Sequence, residues 1–412
     1  MVCSGKYSKY NRIIPVLRLA THPLKMPPLK ALALLTIHQL LTTEKATMTE
    51  KTFVEEIEKA IQKSKGLNIN ELLFSHQGTL YPTTVCSAET FQALENFESR
   101  KDDLVLVSYP KCGVNWLIQI LNELIATTLT TKPENTELPF IECGDPEKYE
   151  RMKQFPSPRI VATHLHYNHI PKSIFKNKAK VLVLFRNPKD TAASFFHFHN
   201  NAPSVPSYNS WEDFFLQFIN GQVAWGSYFD QAVAWNKHID DENILILTYE
   251  ELKEDLVAGV KQIAEFFGFM VTAEQIQVIA DRASFEAVQE RSQETHGAVG
   301  PLLFRKGVVG DWKNLFDETQ NQEMDAKFKE CLAGTKLGTK LKYEEYLDTS
   351  AQVCQKLTST GLTSMLFKNT DVARSEAREL CWRKYFGIQE KWFTIIHCYL
   401  ECQFPSQLLC GL

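Results

Sequence analysis

The chain has 412 residues, 44% of them hydrophobic and 23% charged, and a formal net charge of −4. That is ordinary globular composition with length for a full core. The slightly acidic balance argues against a dedicated nucleic-acid binder while leaving room for a local basic pocket. The ten cysteines form no CxxC pair and no zinc-ligand spacing, and no Asn-x-Ser/Thr acceptor occurs. Free thiols in a reducing compartment are the expectation. The most apolar stretch, Leu29 to Leu41, contains Lys30 and His38 and falls well short of a membrane span.

In chain order, residues 1–47 are basic, with Glu44 as their single acid, and Pro15, Pro23, Pro27 and Pro28 break any long helix. A mitochondrial-type presequence has this character, but the pattern is weak and an unstructured extension is the simpler reading. At Met48 the register changes, and Thr49 to Ile57 reads as a capped amphipathic helix. From there to about Tyr346 the pattern is α/β. Leu104 to Val107, Ile160 to Ala162, Val181 to Phe185 and Ile244 to Leu247 are short apolar runs suited to buried parallel strands. Helical stretches follow, among them Val114 to about Thr127 and Glu250 to Phe267. The expected fold is a single three-layer α/β domain over residues 48–346, with a central parallel sheet and a P-loop-like anion-binding loop. Ligands of such sheets sit beyond the carboxyl ends of the strands. Residues 347–412 hold five cysteines, Cys354, Cys381, Cys398, Cys402 and Cys410, and show no strand–helix repeat; they form a C-terminal extension of unclear structure.

Three segments carry chemistry. Tyr109 to Trp116 lies between a strand and a helix, where backbone N–H groups and the helix dipole favour an anion and Lys111 adds a full charge. Its placement resembles a nucleotide-triphosphate P-loop, but no Gly-Lys-Ser/Thr occurs anywhere in the chain. By itself it is equally an ordinary strand–helix turn that contains a lysine. Arg186 to Ser194 follows the third strand and puts a bidentate cation at the strand's end. Phe304 to Lys313 sets Arg305 and Lys306 before Gly307, so side chains and backbone can wrap one anion. Each has a bland counterpart: a surface arginine with a helix-interior serine, or a basic loop.

Together these segments resemble the cytosolic sulfotransferase family, in its patterns Y-P-K-x-G-x-x-W, R-N-x-K-D-x-x-x-S and R-K-G-x-x-G-D-W-K, over about residues 48–346. Ala162-Thr163-His164-Leu165-His166-Tyr167 belongs to the same likeness. The resemblance implies transfer of a sulfuryl group from 3′-phosphoadenosine 5′-phosphosulfate (PAPS) to a hydroxyl of a small organic acceptor. It implies that Lys111, Cys112, Gly113, Val114, Asn115 and Trp116 hold the phosphosulfate, with Lys111 neutralising the leaving oxygen. It gives Arg186, Ser194, Arg305 and Lys306 to the 3′-phosphate. Trp116 and Phe285 would sandwich the adenine and Tyr249 would reach its edge. Ala283, Ser284, Val288, Leu303, Phe304 and Gly307 complete the nucleotide site. His164 matches the general base, since neutral imidazole can take a proton near pH 7. The resemblance implies no metal, no nucleic acid and no membrane as partners, and the lack of an anchor implies a cytoplasmic enzyme. His164, His166 and His169, or His197 and His199, are clusters that could bind zinc, but the resemblance explains His164 better. His197 and His199, with Phe195, Phe196 and Phe198, could line the acceptor pocket or belong to the core.

The departures are specific. Ala162 stands where the family often has lysine, which removes one cation and keeps open a PAPS-binding protein of weak turnover. Cys112, Val114 and Asn115 replace small hydroxyl residues, and His166 a proline. Beside Lys111 at a helix N-terminus, the Cys112 thiol either ionises readily and is open to alkylation or is an inert small residue filling a tight loop. Of the family's dimer motif, K-x-x-x-T-V-x-x-x-E, only Lys313 is kept, so a homodimer is left open. The expected acceptor is a phenol, with an iodothyronine such as thyroxine as the specific case; a P-loop-like nucleoside kinase is the rival.

Overall fold

A computed structural model describes residues 54–129 and 137–343. The readings placed on 1–47, on Thr49 to Phe53 and on 347–412 lie outside the described residues. The chain divides into two compact units between Leu337 and Gly338. The sheet and the site belong to the first.

The four predicted apolar runs are the four strands of one parallel sheet. They are β3 (Leu104–Ser108), β4 (Ile160–Thr163), β5 (Lys180–Phe185) and β6 (Ile244–Thr248), in the order β4-β3-β5-β6. Leu104 pairs with both Ile160 and Lys180, and Val181 with Ile244. All five residues of β3 are buried, which is why these strands read as continuous apolar runs rather than alternations. Leu104, Leu106, Leu182 and Leu184 send one face into an aliphatic core with Leu117, Leu121 and Leu124 of the helix Val114–Thr128 and with Val260, Ile263 and Ile279. By alternation the intervening residues face the other side, where Phe185 meets Tyr228 in an aromatic-rich layer. Helices on both faces give the expected three layers.

Two details went unread in the sequence. An antiparallel hairpin, β1 (Leu73–His76) and β2 (Thr79–Pro82), precedes the sheet. It turns through Gln77 and Gly78 at φ 49° and 81°, the mirror-image turn that suits strand twist. The single helix expected over Glu250 to Phe267 is two, Tyr249–Glu254 and Leu256–Phe267. Asp255 leaves the helical region at φ −147°, and its carboxylate accepts from the Ala258 N–H as an N-cap.

Each strand ends on the same sheet edge, immediately before a residue of interest. Ser108 precedes the Lys111 loop, Thr163 precedes His164, Phe185 precedes Arg186, and Thr248 precedes Tyr249. β4 and β5 leave β3 in opposite directions, so this edge is the crevice where an open parallel sheet receives its ligands.

Candidate active site

One cavity at that edge is lined by Lys111, Gly113, Val114, Asn115 and Trp116 from the first motif, Arg186 and Ser194 from the second, and Arg305, Lys306 and Gly307 from the third. Tyr249, Phe285, Leu303 and Phe304 also line it. The first loop is tight: Lys111 sits at φ 69° and Gly113 at φ 111°. A Cβ on Gly113 would come within 3.1 Å of the Tyr249 ring, so the turn requires glycine. It delivers the N-terminus of Val114–Thr128 to the cavity. Lys111 Nζ donates to the Leu302 carbonyl at 3.3 Å and lies 4.6 Å over the Phe198 ring. Burial, and then repulsion from Arg186 and Arg305, draws the lysine down to about 7; a bound anion would reverse this.

Arg186 is held on four sides. Its guanidinium stacks 4.4 Å from the Tyr249 ring, donates to the Val308 carbonyl at 2.9 Å and to the Lys111 carbonyl at 3.4 Å, and lies 3.9 Å from Asp190. Its Nε is buried with no hydrogen-bond partner in the protein, which fits a site made for an anionic ligand. Asp190 accepts from the N–H groups of Gly310 and Trp312 at 2.7 and 3.1 Å, and so ties the second motif to the third. Asp311 gathers Arg305 and Lys306 at 2.5 and 2.7 Å. Although burial works against it, those hydrogen bonds hold the Asp311 carboxyl down to about 2. Gly307, at φ 65°, has no room for a side chain: a Cβ would lie 2.2 Å from the Phe285 ring.

Trp116 and Phe285, expected to sandwich the adenine, lie 6.5 Å apart at 82°, and Trp116 Nε1 donates to the Ala283 carbonyl at 2.6 Å. Cys112, Ala283, Ser284 and Val288 are not among the lining residues. Ala283 and Val288 are core, and the Ser284 hydroxyl accepts from Ala287 N–H as a helix cap. Cys112 is fully buried behind the loop, its Sγ 3.7 Å from the Thr191 hydroxyl. Burial pushes its thiol up to about 12, which favours the inert residue over the reactive thiolate.

A second cavity opens beside the first. Ile57, Ile61, Val85, Leu138, Phe140, Val205 and Val299 are among its lining residues, and His164, Asn115, Phe198, Trp225 and Leu303 line both. The lining includes no Asp, Glu, Lys or Arg. His164 therefore stands where a cationic and an apolar chamber meet. Its Nδ1 lies 2.8 Å from the Ser108 carbonyl oxygen. A carbonyl can only accept, so Nδ1 carries the proton and Nε2 keeps its lone pair. The Phe140 ring lies 4.8 Å from the imidazole and the Trp225 ring 5.3 Å, edge-on. Burial, partly offset by the Ser108 contact, draws the imidazole down to about 4, so it is neutral at physiological pH.

Of the aromatic run near His197, Phe198 lines both chambers and Phe195 the first, while Phe196 packs on Trp211 and Phe214. His199 is buried with its Nδ1 2.7 Å from the Pro206 carbonyl, and neither His197 nor His199 lines the apolar chamber. Trp225 went unnoticed in the sequence. It takes a left-handed φ of 63°, followed by Gly226 at 75°, and its backbone N–H donates to the Leu80 carbonyl at 2.7 Å. Its one sequence signal is the Trp-Gly pair.

The chain is similar to known proteins. The sulfotransferase domain model matches residues 101–336. Sulfotransferase 6B1 of Pan troglodytes is 63% identical over 300 residues, 73% of this chain and 99% of that protein. The Danio rerio protein of the same name is 46% identical over 275 residues, 66% and 93% of the two chains. Mouse sulfotransferase SULT7A1, solved as a complex with PAP, superposes with a TM-score of 0.59 at 34% identity, covering 66% of this chain and 98% of that one. The chain belongs to the sulfotransferase family, and its reaction is sulfuryl transfer from PAPS to a hydroxyl acceptor.

Proposed function

We propose that the cationic chamber holds PAPS, that the apolar chamber holds a phenol, and that His164 is the base. The observation that carries this reading is the position of His164 on both chambers with Nδ1 committed to the Ser108 carbonyl. Nε2 takes the acceptor's proton as the hydroxyl oxygen bonds to sulfur and the bond from sulfur to the phosphate oxygen breaks. Lys111 neutralises the charge left on that oxygen, while Arg186, Ser194, Arg305 and Lys306 hold the 3′-phosphate. Pairing an activated hydroxyl with a stabilised leaving group in one geometry supplies the rate. The apolar lining favours an acceptor whose reacting end is uncharged. An iodothyronine such as thyroxine meets this if its charged end stays at the mouth. We also take residues 48–346 as the catalytic domain, with 1–47 and 347–412 as extensions. The test is His164→Ala, assayed by radiolabelled sulfuryl transfer to phenols and by calorimetry with PAP. Turnover is expected to fall by ~10²–10⁴ while PAP still binds. Wild-type turnover would remove His164 from the chemistry, and loss of PAP binding would make it structural.

A further inference from the structure

The residue that sets the imidazole lies behind it. Glu142 is fully buried in the segment whose Leu138, Phe140 and Cys143 line the apolar chamber. One carboxylate oxygen accepts the His164 backbone N–H at 2.8 Å, and the other accepts the Thr163 hydroxyl, also at 2.8 Å. The Thr163 oxygen in turn accepts the Leu165 N–H at 3.0 Å. Three consecutive residues around the base thus hang on one side chain.

The same segment is held from its other side. Lys148, 1% exposed, donates to the carbonyls of Leu138, Phe140 and Cys143 at 3.1, 2.6 and 2.6 Å. Pro139 and Ile141 pair with Ala162 of β4. Phe140, fixed between them, presents its ring to His164. The Gln231 amide donates to the His164 carbonyl at 3.2 Å.

We propose that Glu142 is a positioning residue for sulfuryl transfer, acting through the backbone of His164 to hold its Nδ1 on the Ser108 carbonyl, with Lys148 fixing the segment that carries it. This rests on the reading of His164 as base. What the arrangement uses at His164 is an acceptor oxygen rather than a charge. Burial raises the Glu142 carboxyl above its ordinary range, and a glutamine could serve in its place. Its amide oxygen would accept from His164 N–H, and its amide nitrogen would donate to the Thr163 oxygen.

The experiment compares Glu142→Ala, Glu142→Gln and His164→Ala. A misplacement of the reacting group by an ångström can cost about a hundredfold in rate, so Glu142→Ala is expected to lose roughly that much in kcat. Its KM for PAPS and its calorimetric affinity for PAP are expected to stay at wild-type values, and Glu142→Gln to recover most of the turnover. Ring-nitrogen NMR shifts of histidine-labelled protein should show the Nδ1–H tautomer in the wild type and in Glu142→Gln, and a mixture in Glu142→Ala. Wild-type kcat in Glu142→Ala, joint loss of PAP binding, or equal loss in the Gln variant would overturn the proposal. If Glu142→Ala does not fold, Thr163→Val removes one arm of the clamp and must lower kcat with PAP affinity intact; wild-type kcat there overturns it equally. An active His164→Ala would instead strike at the base itself, whatever Glu142 does.

Discussion

The two chambers share His164, Asn115, Phe198, Trp225 and Leu303, yet they are built on opposite plans. The cationic chamber takes its groups from three contiguous motifs, each beginning where a strand ends or a loop wraps, and each tied to the others: Asp190 to Gly310 and Trp312, Arg186 to Lys111 and Val308. The apolar chamber is assembled mainly from aliphatic and aromatic side chains spread along the chain from Ile57 to Leu303. A nucleotide's phosphates demand charge and backbone N–H groups at fixed spacing, which leaves a pattern in the chain. A small apolar acceptor demands only a surface, which many combinations of Val, Ile and Phe can supply.

If the chambers are separable in this way, changes in one should spare the other. Lys111→Ala should show the largest effect of those in the donor chamber, with kcat down by ~10²–10³, the usual cost of one preorganised electrostatic contact. Near-normal single-turnover rates would take Lys111 out of the leaving-group role. Gly307→Val should come next. It places a branched side chain at a left-handed φ and against Phe285, and overpacking of this kind costs roughly 1–3 kcal/mol. Calorimetry should show that cost as weaker PAP binding; unchanged affinity would mean that the Phe285 wall yields. On the apolar side, Val205→Asn leaves an amide unpaired in an aliphatic wall, which costs about 1–3 kcal/mol, or roughly five- to hundredfold in the KM of a phenol. PAP affinity should not move. A change in PAP affinity equal to the change in KM would show that the chambers are one.

The same contrast explains what could be read from the chain. The four strands and the helix after Lys111 were legible because a sheet covered on both faces forces continuous apolar runs. Arg186, Arg305 and Gly307 were legible because anion chemistry fixes their order. The Gln77-Gly78 hairpin and the break at Asp255 were decided by one or two residues each and were passed over. The sequence leaves Cys112 open between a reactive and an inert thiol, because a side chain's direction in a tight loop depends on backbone angles that sequence does not display. With Lys111 and Gly113 both at positive φ, the thiol turns inward and the lysine outward. Glu142 escaped notice because its partners are the backbone of His164 and the hydroxyl of Thr163, which leave no spacing to find.

The proposed mechanism requires a neutral His164 as the proton acceptor. Its burial pulls the imidazole of the unliganded protein down to about 4; a bound anion raises it part of the way back, and since a base works only when deprotonated, activity should survive acidification below the ordinary histidine range. The direct measurement is kcat/KM for a phenol from pH 4 to 8 with PAPS saturating, over the span in which circular dichroism shows the fold intact. The expected profile is level on crossing the unperturbed histidine value of about 6.5 and falls only near the acid end, and His164→Ala abolishes that acid limb. A half-maximal point near 6.5 would contradict the buried geometry, and an acid limb that persists in His164→Ala would contradict the role.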